Sequence, residues 1–317
     1  MLRTIAAVAI TLLVTNTPLS NAARLTHISN PQGHPTNDEP FPAPDGKQLV
    51  IESNRTGKQQ LYAISADGNL LRRITQDDAV DDTPTWSHDA RSIAYVEIRG
   101  NLSWIAIVRA GGGAGRRIGG GDGLDYLHPT WSPDDRWIMY NVNSKHHPRT
   151  YELWAMHPDG AERHAVTHNG YSETTYGSWS PDGRHIVYRR KFPPYRSQIF
   201  LADGDGRHAR NVSNDDAYDG WPSWSPDGRT IVFASNRLEA NRDSLNEAIF
   251  LMAADGGAVR LLARPSGRNT EPRIALDGKT VYFSHCVHHE CEVFSAGAPT
   301  DRRAKSISSS HQFGIVK

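Results

Sequence analysis

The chain has 317 residues, with 35 Lys+Arg balanced by 35 Asp+Glu, fifteen His and two Cys. A formal charge of zero excludes the basic excess that phosphate neutralisation demands, so no nucleic-acid partner is expected. The length is enough to bury a substantial core.

The first residues differ in character from the rest. Arg3 precedes the apolar run "IAAVAITLLV" from Ile5 to Val14, and "TNTPLSNAA" then ends in small residues. That order is the pattern of a secretory signal peptide over residues 1–23, cleaved after Ala22 or Ala23. The run is shorter than the roughly 20 residues that span a bilayer. Nothing later is more apolar, so the mature chain is expected in the periplasm or secreted, not transmembrane. Next comes "ARLTHIS", residues 23–29, which has the phase of a lone strand.

From there the chain repeats itself. Aligning on the Asp of "SPDG" gives Asp45, Asp89, Asp134, Asp182, Asp227 and Asp277, separated by 44, 45, 48, 45 and 50 residues. Each turn leads into an alternating run such as "TIVFAS" or "HIVYRR", whose period of two marks a half-buried strand. A second run such as "QLYAIS" follows, then a Gly-rich turn, then a short strand such as "RRIT". With the strand that carries "P-x-W-S", each copy holds four strands. A sheet of about 45 residues cannot cover both its faces, whereas six arranged radially cover one another. The expected fold is therefore all-β, a six-bladed β-propeller of four-stranded antiparallel blades over residues 24–317. Trp86, Trp131, Trp179 and Trp224 recur at one position and are expected to wedge between blades; Pro42 and Ile274 replace them in the terminal copies. Two segments compete to supply the last strand of the ring: "ARLTHIS", which is favoured, and "AKSIS" near the C-terminus.

The repeated "P-x-W-S-P-D-G-x-x-I-x-F/Y" with its following "D-G…R-L-T", and "RNTEP" at Arg268–Pro272, resemble the TolB-type six-bladed β-propeller over essentially all of the chain after the leader. The resemblance implies a fold shared with the propeller caps of prolyl-oligopeptidase peptidases and with oligogalacturonate lyases, so function rests on the site. The family's namesake carries an α/β domain before its propeller, and here the leader runs into blade 1 within a few residues. By the same resemblance the channel entrance receives a segment of a partner protein from the envelope or medium. Non-catalytic binding of this kind, by a monomer, is the expected role.

The register names the candidates. The residues before each "P-x-W" are Glu39, Thr83, His128, Tyr176, Trp221 and Glu271, with Gly177 in place of the Pro in copy four; these six are expected to line the channel mouth. Loops on the same face supply a basic rim that includes Arg55, Arg99, Lys145, Arg190 and Arg237, with Arg189 and Arg242 beside them. The loops joining successive copies are acidic, from Asp77 to Asp219, and their carboxylates with Glu39 and Glu271 could hold a cation such as calcium.

Catalytic patterns are few. "GSWSPDG" lacks the spacing of a nucleophile elbow. The glycines of residues 110–123 lack "GK[ST]", and "DGDG" at 203–206 lacks the twelfth-position Glu of an EF-hand, so both read as turns. The alternative reading is an oligogalacturonate-type lyase, with a metal on His ligands and basic side chains on uronate carboxylates. His146, His147, His285, His288 and His289 motivate it. Cys286 and Cys291, in "HCVHHEC", are expected to form a disulfide after export, with free thiols or a Cys/His metal site as alternatives.

Overall fold

The computed structural model describes residues 25–28, 35–143, 150–170, 173–193, 196–241, 244–288 and 290–298. The leader, Lys145, His146, His147, Arg242, His289 and "AKSIS" lie outside them. Strand β1 (Leu25–His27) comes first. Blade 1 is β2 (Asn37–Pro42), β3 (Gln48–Ser53), β4 (Gln60–Ser65) and β5 (Leu70–Arg73). Blade 2 is β6 (Val80–Trp86), β7 (Ser92–Arg99), β8 (Leu102–Arg109) and β9 (Arg116–Gly120). Blade 3 is β10 (Tyr126–Trp131), β11 (Ile138–Asn143), β12 (Tyr151–Met156) and β13 (His164–Ala165). Blade 4 is β14 (Glu173–Trp179), β15 (His185–Phe192), β16 (Arg196–Asp203) and β17 (Arg210–Asn211). Blade 5 is β18 (Asp219–Trp224), β19 (Thr230–Ser235), β20 (Ala248–Ala253) and β21 (Arg260–Ala263). Blade 6 takes β22 (Arg268–Ile274), β23 (Thr280–Val287) and β24 (Glu290–Gly297), and β1 completes it by pairing antiparallel with β24.

The ring is thus closed by the N-terminal segment, Leu25 opposite Ala296 and His27 opposite Phe294. Innermost strands touch in the order β2, β6, β10, β14, β18, β22 and back to β2. Among the described residues no helix is long and apolar enough to cross a membrane.

Each blade interface has its own core, because the two faces of a blade bury against different neighbours. Between blades 1 and 2, Val50, Leu61 and Ile74 meet Trp86, Ile93 and Tyr95. Between blades 4 and 5, Val187, Ile199 and Val212 meet Trp224, Ile231 and Phe233. Trp86, Trp131 and Trp224 are 2%, 6% and 9% exposed, the wedge role read from the sequence. Trp179 is half-buried and packs against the core between blades 3 and 4.

The "SPDG" words are turn chemistry. In four blades the Ser hydroxyl donates to the Asp carboxylate two residues on at 2.6 Å, as in Ser87–Asp89 and Ser225–Asp227. The same hydroxyl accepts the backbone N–H five residues on, and the Asp accepts that of the residue two beyond itself. Gly228 closes the turn with φ of 69°, in the left-handed region that favours glycine. Ala90 and Asp135 hold the equivalent conformation without that freedom.

Candidate functional site

The candidate mouth of the channel is built by one backbone device used six times. In each innermost strand the pairing register slips, between Asp38 and Phe41 in blade 1 and between Thr270 and Arg273 in blade 6, which is a β-bulge. The bulged residues are Glu39, Thr83, His128, Tyr176, Trp221 and Glu271, and all six have φ between 48° and 56°. That conformation is uncommon for any residue but Gly, and a β-branched Thr there is an outlier. Backbone held this way on a rigid ring is a mark of a site where side chains must be aimed.

Adjacent ring members converge. The rings of His128 and Tyr176 lie 4.1 Å apart, and those of Tyr176 and Trp221 5.3 Å apart. The bulge N–H groups are served by the preceding blade: Glu39 donates to Ser284 Oγ at 3.0 Å, Thr83 to Glu52 Oε2 at 3.3 Å and Tyr176 to Asn141 Oδ1 at 3.3 Å. Glu52, Asn141, Arg189 and Ser284 occupy one register position on the second strands and form a supporting layer.

Charge divides the mouth in two. Burial raises the Glu39 carboxyl well above the usual range, and Glu271, Asp82 and Asp38 push it further while Arg273 opposes them. Glu271 is raised well above that range by burial and then by Asp38, against the pull of Arg273 and Arg268. Glu52 is raised likewise by burial and then by Asp82 and Glu39. Ligand oxygens of Glu39, Glu52 and Asp82 all lie within 4.8 Å of one another. On the opposite side His128 is pushed down to about 3 by burial, with Arg189 and Arg273 adding to the effect, so its imidazole is neutral. Tyr176 is raised by burial, and the Arg189 guanidinium lies 4.7 Å above its ring.

The profile of the TolB β-propeller domain matches residues 17–192 and 137–310. The chain belongs to the TolB β-propeller domain family. An uncharacterized protein of Agrobacterium fabrum is 28% identical over 169 residues, 50% of this chain and 51% of that protein; the chain thus spans about half the length of this curated relative. A provisionally named TolB from Agrobacterium tumefaciens superposes with a TM-score of 0.65 at 22% identity, over 83% of this chain and 91% of that one. An oligogalacturonate lyase in complex with manganese superposes with a TM-score of 0.58 at 15% identity, over 89% and 94%. At such identities the likenesses show the fold.

Within this TolB-type propeller, much of the basic rim is engaged internally. Arg55 donates to Asn37 Oδ1 at 2.7 Å and lies over Tyr62. Arg237 clamps both Asp219 oxygens at 3.1 Å, and Arg190 lies over Phe192 and Phe200. Arg99 bonds Glu97 at 2.7 Å. Arg189, read from the sequence as a rim residue, is 4% exposed and bonds Glu173 at 2.5 Å, because it lies on the channel side of its strand.

Cys286 and Cys291 face each other across the β23–β24 hairpin and form a disulfide. The bridge removes them as thiolate ligands, and His285 bonds Asn269 at 2.9 Å. The residue that sequence reading missed is Arg273, whose charge stands inside the channel below the ring. Its signal was the middle position of "P-x-W", which is Thr85, Thr130, Ser178 and Ser223 in four blades but Phe41 and Arg273 in the terminal ones.

Proposed function

We propose that this chain is an exported, monomeric, non-catalytic propeller that holds a segment of a protein partner at its channel mouth. The observation that carries the reading is the ring of six bulged residues, which puts Glu39 and Glu271 on adjacent blades and the packed His128 and Tyr176 rings on two others at one register position. Loops and bulges on a rigid scaffold are where binding residues concentrate. The acidic half favours a basic side chain of the incoming segment. Export is supported by the leader pattern and by the disulfide, which persists in oxidising compartments. Glu39, Glu52 and Asp82 offer oxygen donors of the kind a hard cation such as calcium takes. Among the described residues neither grouping near enough to share a metal contains a His, and His128 packs on Tyr176, which weighs against the lyase reading.

Peptide display on the purified protein, followed by calorimetry of the selected sequences, tests this. Selected peptides should bind the wild type and lose at least about tenfold affinity in Glu39→Gln/Glu271→Gln, a loss of ~1.4 kcal/mol. Release of unsaturated uronates from oligogalacturonate by the same preparation, abolished in His128→Ala, would replace the scaffold by a lyase.

A further inference from the structure

We propose that the opposite end of the channel is a second, separate site, for a small carboxylate with an apolar body. A cavity of about 220 Å³ opens among the Asp-Gly turns. For scale, a cavity of about 150 Å³ admits benzene. Its inner wall is the middle position of "P-x-W", with Thr130, Ser178, Ser223 and the Arg273 side chain lining it and the Thr85 hydroxyl sealed from it. Thr85 is 1% exposed and its Oγ1 has no hydrogen-bond partner. The other three hydroxyls and the Arg273 guanidinium likewise make no hydrogen bond or ion pair among the described residues. Arg273 rests over the Phe41 ring at 5.3 Å, and Glu39 and Glu271 attract it from the mouth side without reaching salt-bridge distance.

A guanidinium presents a rigid fork of donors that matches a carboxylate two bonds at a time. Enclosed and unpaired, its charge favours an anion, and the hydroxyl ring supplies further donors to the same oxygens. The outer wall is apolar, from Trp86, Trp131, Trp179 and Trp224 with Pro42 and Leu276. Polar donors and indoles in one lining select an acid whose body is aromatic or short and aliphatic. A simple inorganic anion would leave those walls unsatisfied.

Calorimetric titration of the full-length protein with benzoate and hexanoate, with benzyl alcohol and chloride as controls, tests the assignment. Both acids should bind saturably with one site per chain, and neither control should compete. Arg273→Lys keeps the charge and loses the fork, and should weaken benzoate at least about tenfold with little change in melting temperature. Thr130→Val should weaken it by a smaller factor. Absence of binding at millimolar benzoate, equal binding of benzyl alcohol, or undiminished binding by folded Arg273→Lys would each overturn the proposal.

Discussion

The two halves of the channel mouth share one backbone and differ in everything their side chains do. Glu271, Glu39 and Thr83 on blades 6, 1 and 2 adopt the same bulge as His128, Tyr176 and Trp221 on blades 3, 4 and 5. In the first half burial and like charge raise the carboxyls, so the arrangement is held against electrostatic opposition. In the second half the rings pack tilted against one another and Trp221 joins the core between blades 5 and 6. The repeat therefore fixes where a side chain is presented, and the residue chosen decides whether it packs or is held as a buried charge.

Breaking the aromatic half should have the largest effect. Trp221 is 1% exposed, and Trp221→Ala should remove ~3–5 kcal/mol of stability, read from the urea midpoint. Glu39→Gln should show no such loss.

A second contrast lies on the strands behind the ring. Asp219 and Asp81 are equivalent and both fully buried, but Arg237 clamps Asp219 whereas Arg99 turns to Glu97 and Asp77. Both Asp81 oxygens are left without a hydrogen-bond partner. Asp219→Asn should therefore cost about 3 kcal/mol by leaving Arg237 short of its anion, while Asp81→Asn at pH 8 should stabilise by about 1 kcal/mol. Thermal melts of the two variants side by side check the sign.

Glu247 sharpens the picture by pH. It is 2% exposed, and burial raises its carboxyl from 4.5 to about 7 against the pull of Arg268. A raised carboxyl makes the folded state bind more protons than the unfolded one between those values. The stability it lends is thus present below pH 4.5 and is lost as pH rises through about 7. Glu247→Gln should match the wild type near pH 4 and exceed it by about 2 kcal/mol at pH 8, as measured by denaturant titration at both pH values. The smallest loss of stability belongs to the disulfide, which closes only a short hairpin: Cys286→Ser/Cys291→Ser should cost about 1–2 kcal/mol in urea unfolding under oxidising conditions.

The repeat made the fold legible, because a period near 45 residues with four strands leaves a propeller as the packing solution. The one register position shared by the six bulged residues was legible in the sequence, since every bulge falls immediately before the same Pro or Gly. The partners of the arginines were not. Arg99 and Arg237 occupy one register position, and the presence of Glu97 where Ser235 stands decides which carboxylate each takes, a choice made by distance rather than pattern. Arg273 was hidden for the opposite reason: one atypical letter in a terminal repeat looks like variation until it is seen inside the channel.

The most direct test of the mouth as a partner-binding site is photo-crosslinking in intact cells of the native host. A benzophenone residue would be placed at Asp78 on the mouth face and, separately, at Arg229 on the turn face. A single protein adduct from Asp78, absent from Arg229 and diminished in Glu39→Gln/Glu271→Gln, is the result this account predicts. Equal adducts from both faces, or an Asp78 adduct indifferent to the ring substitutions, would contradict it.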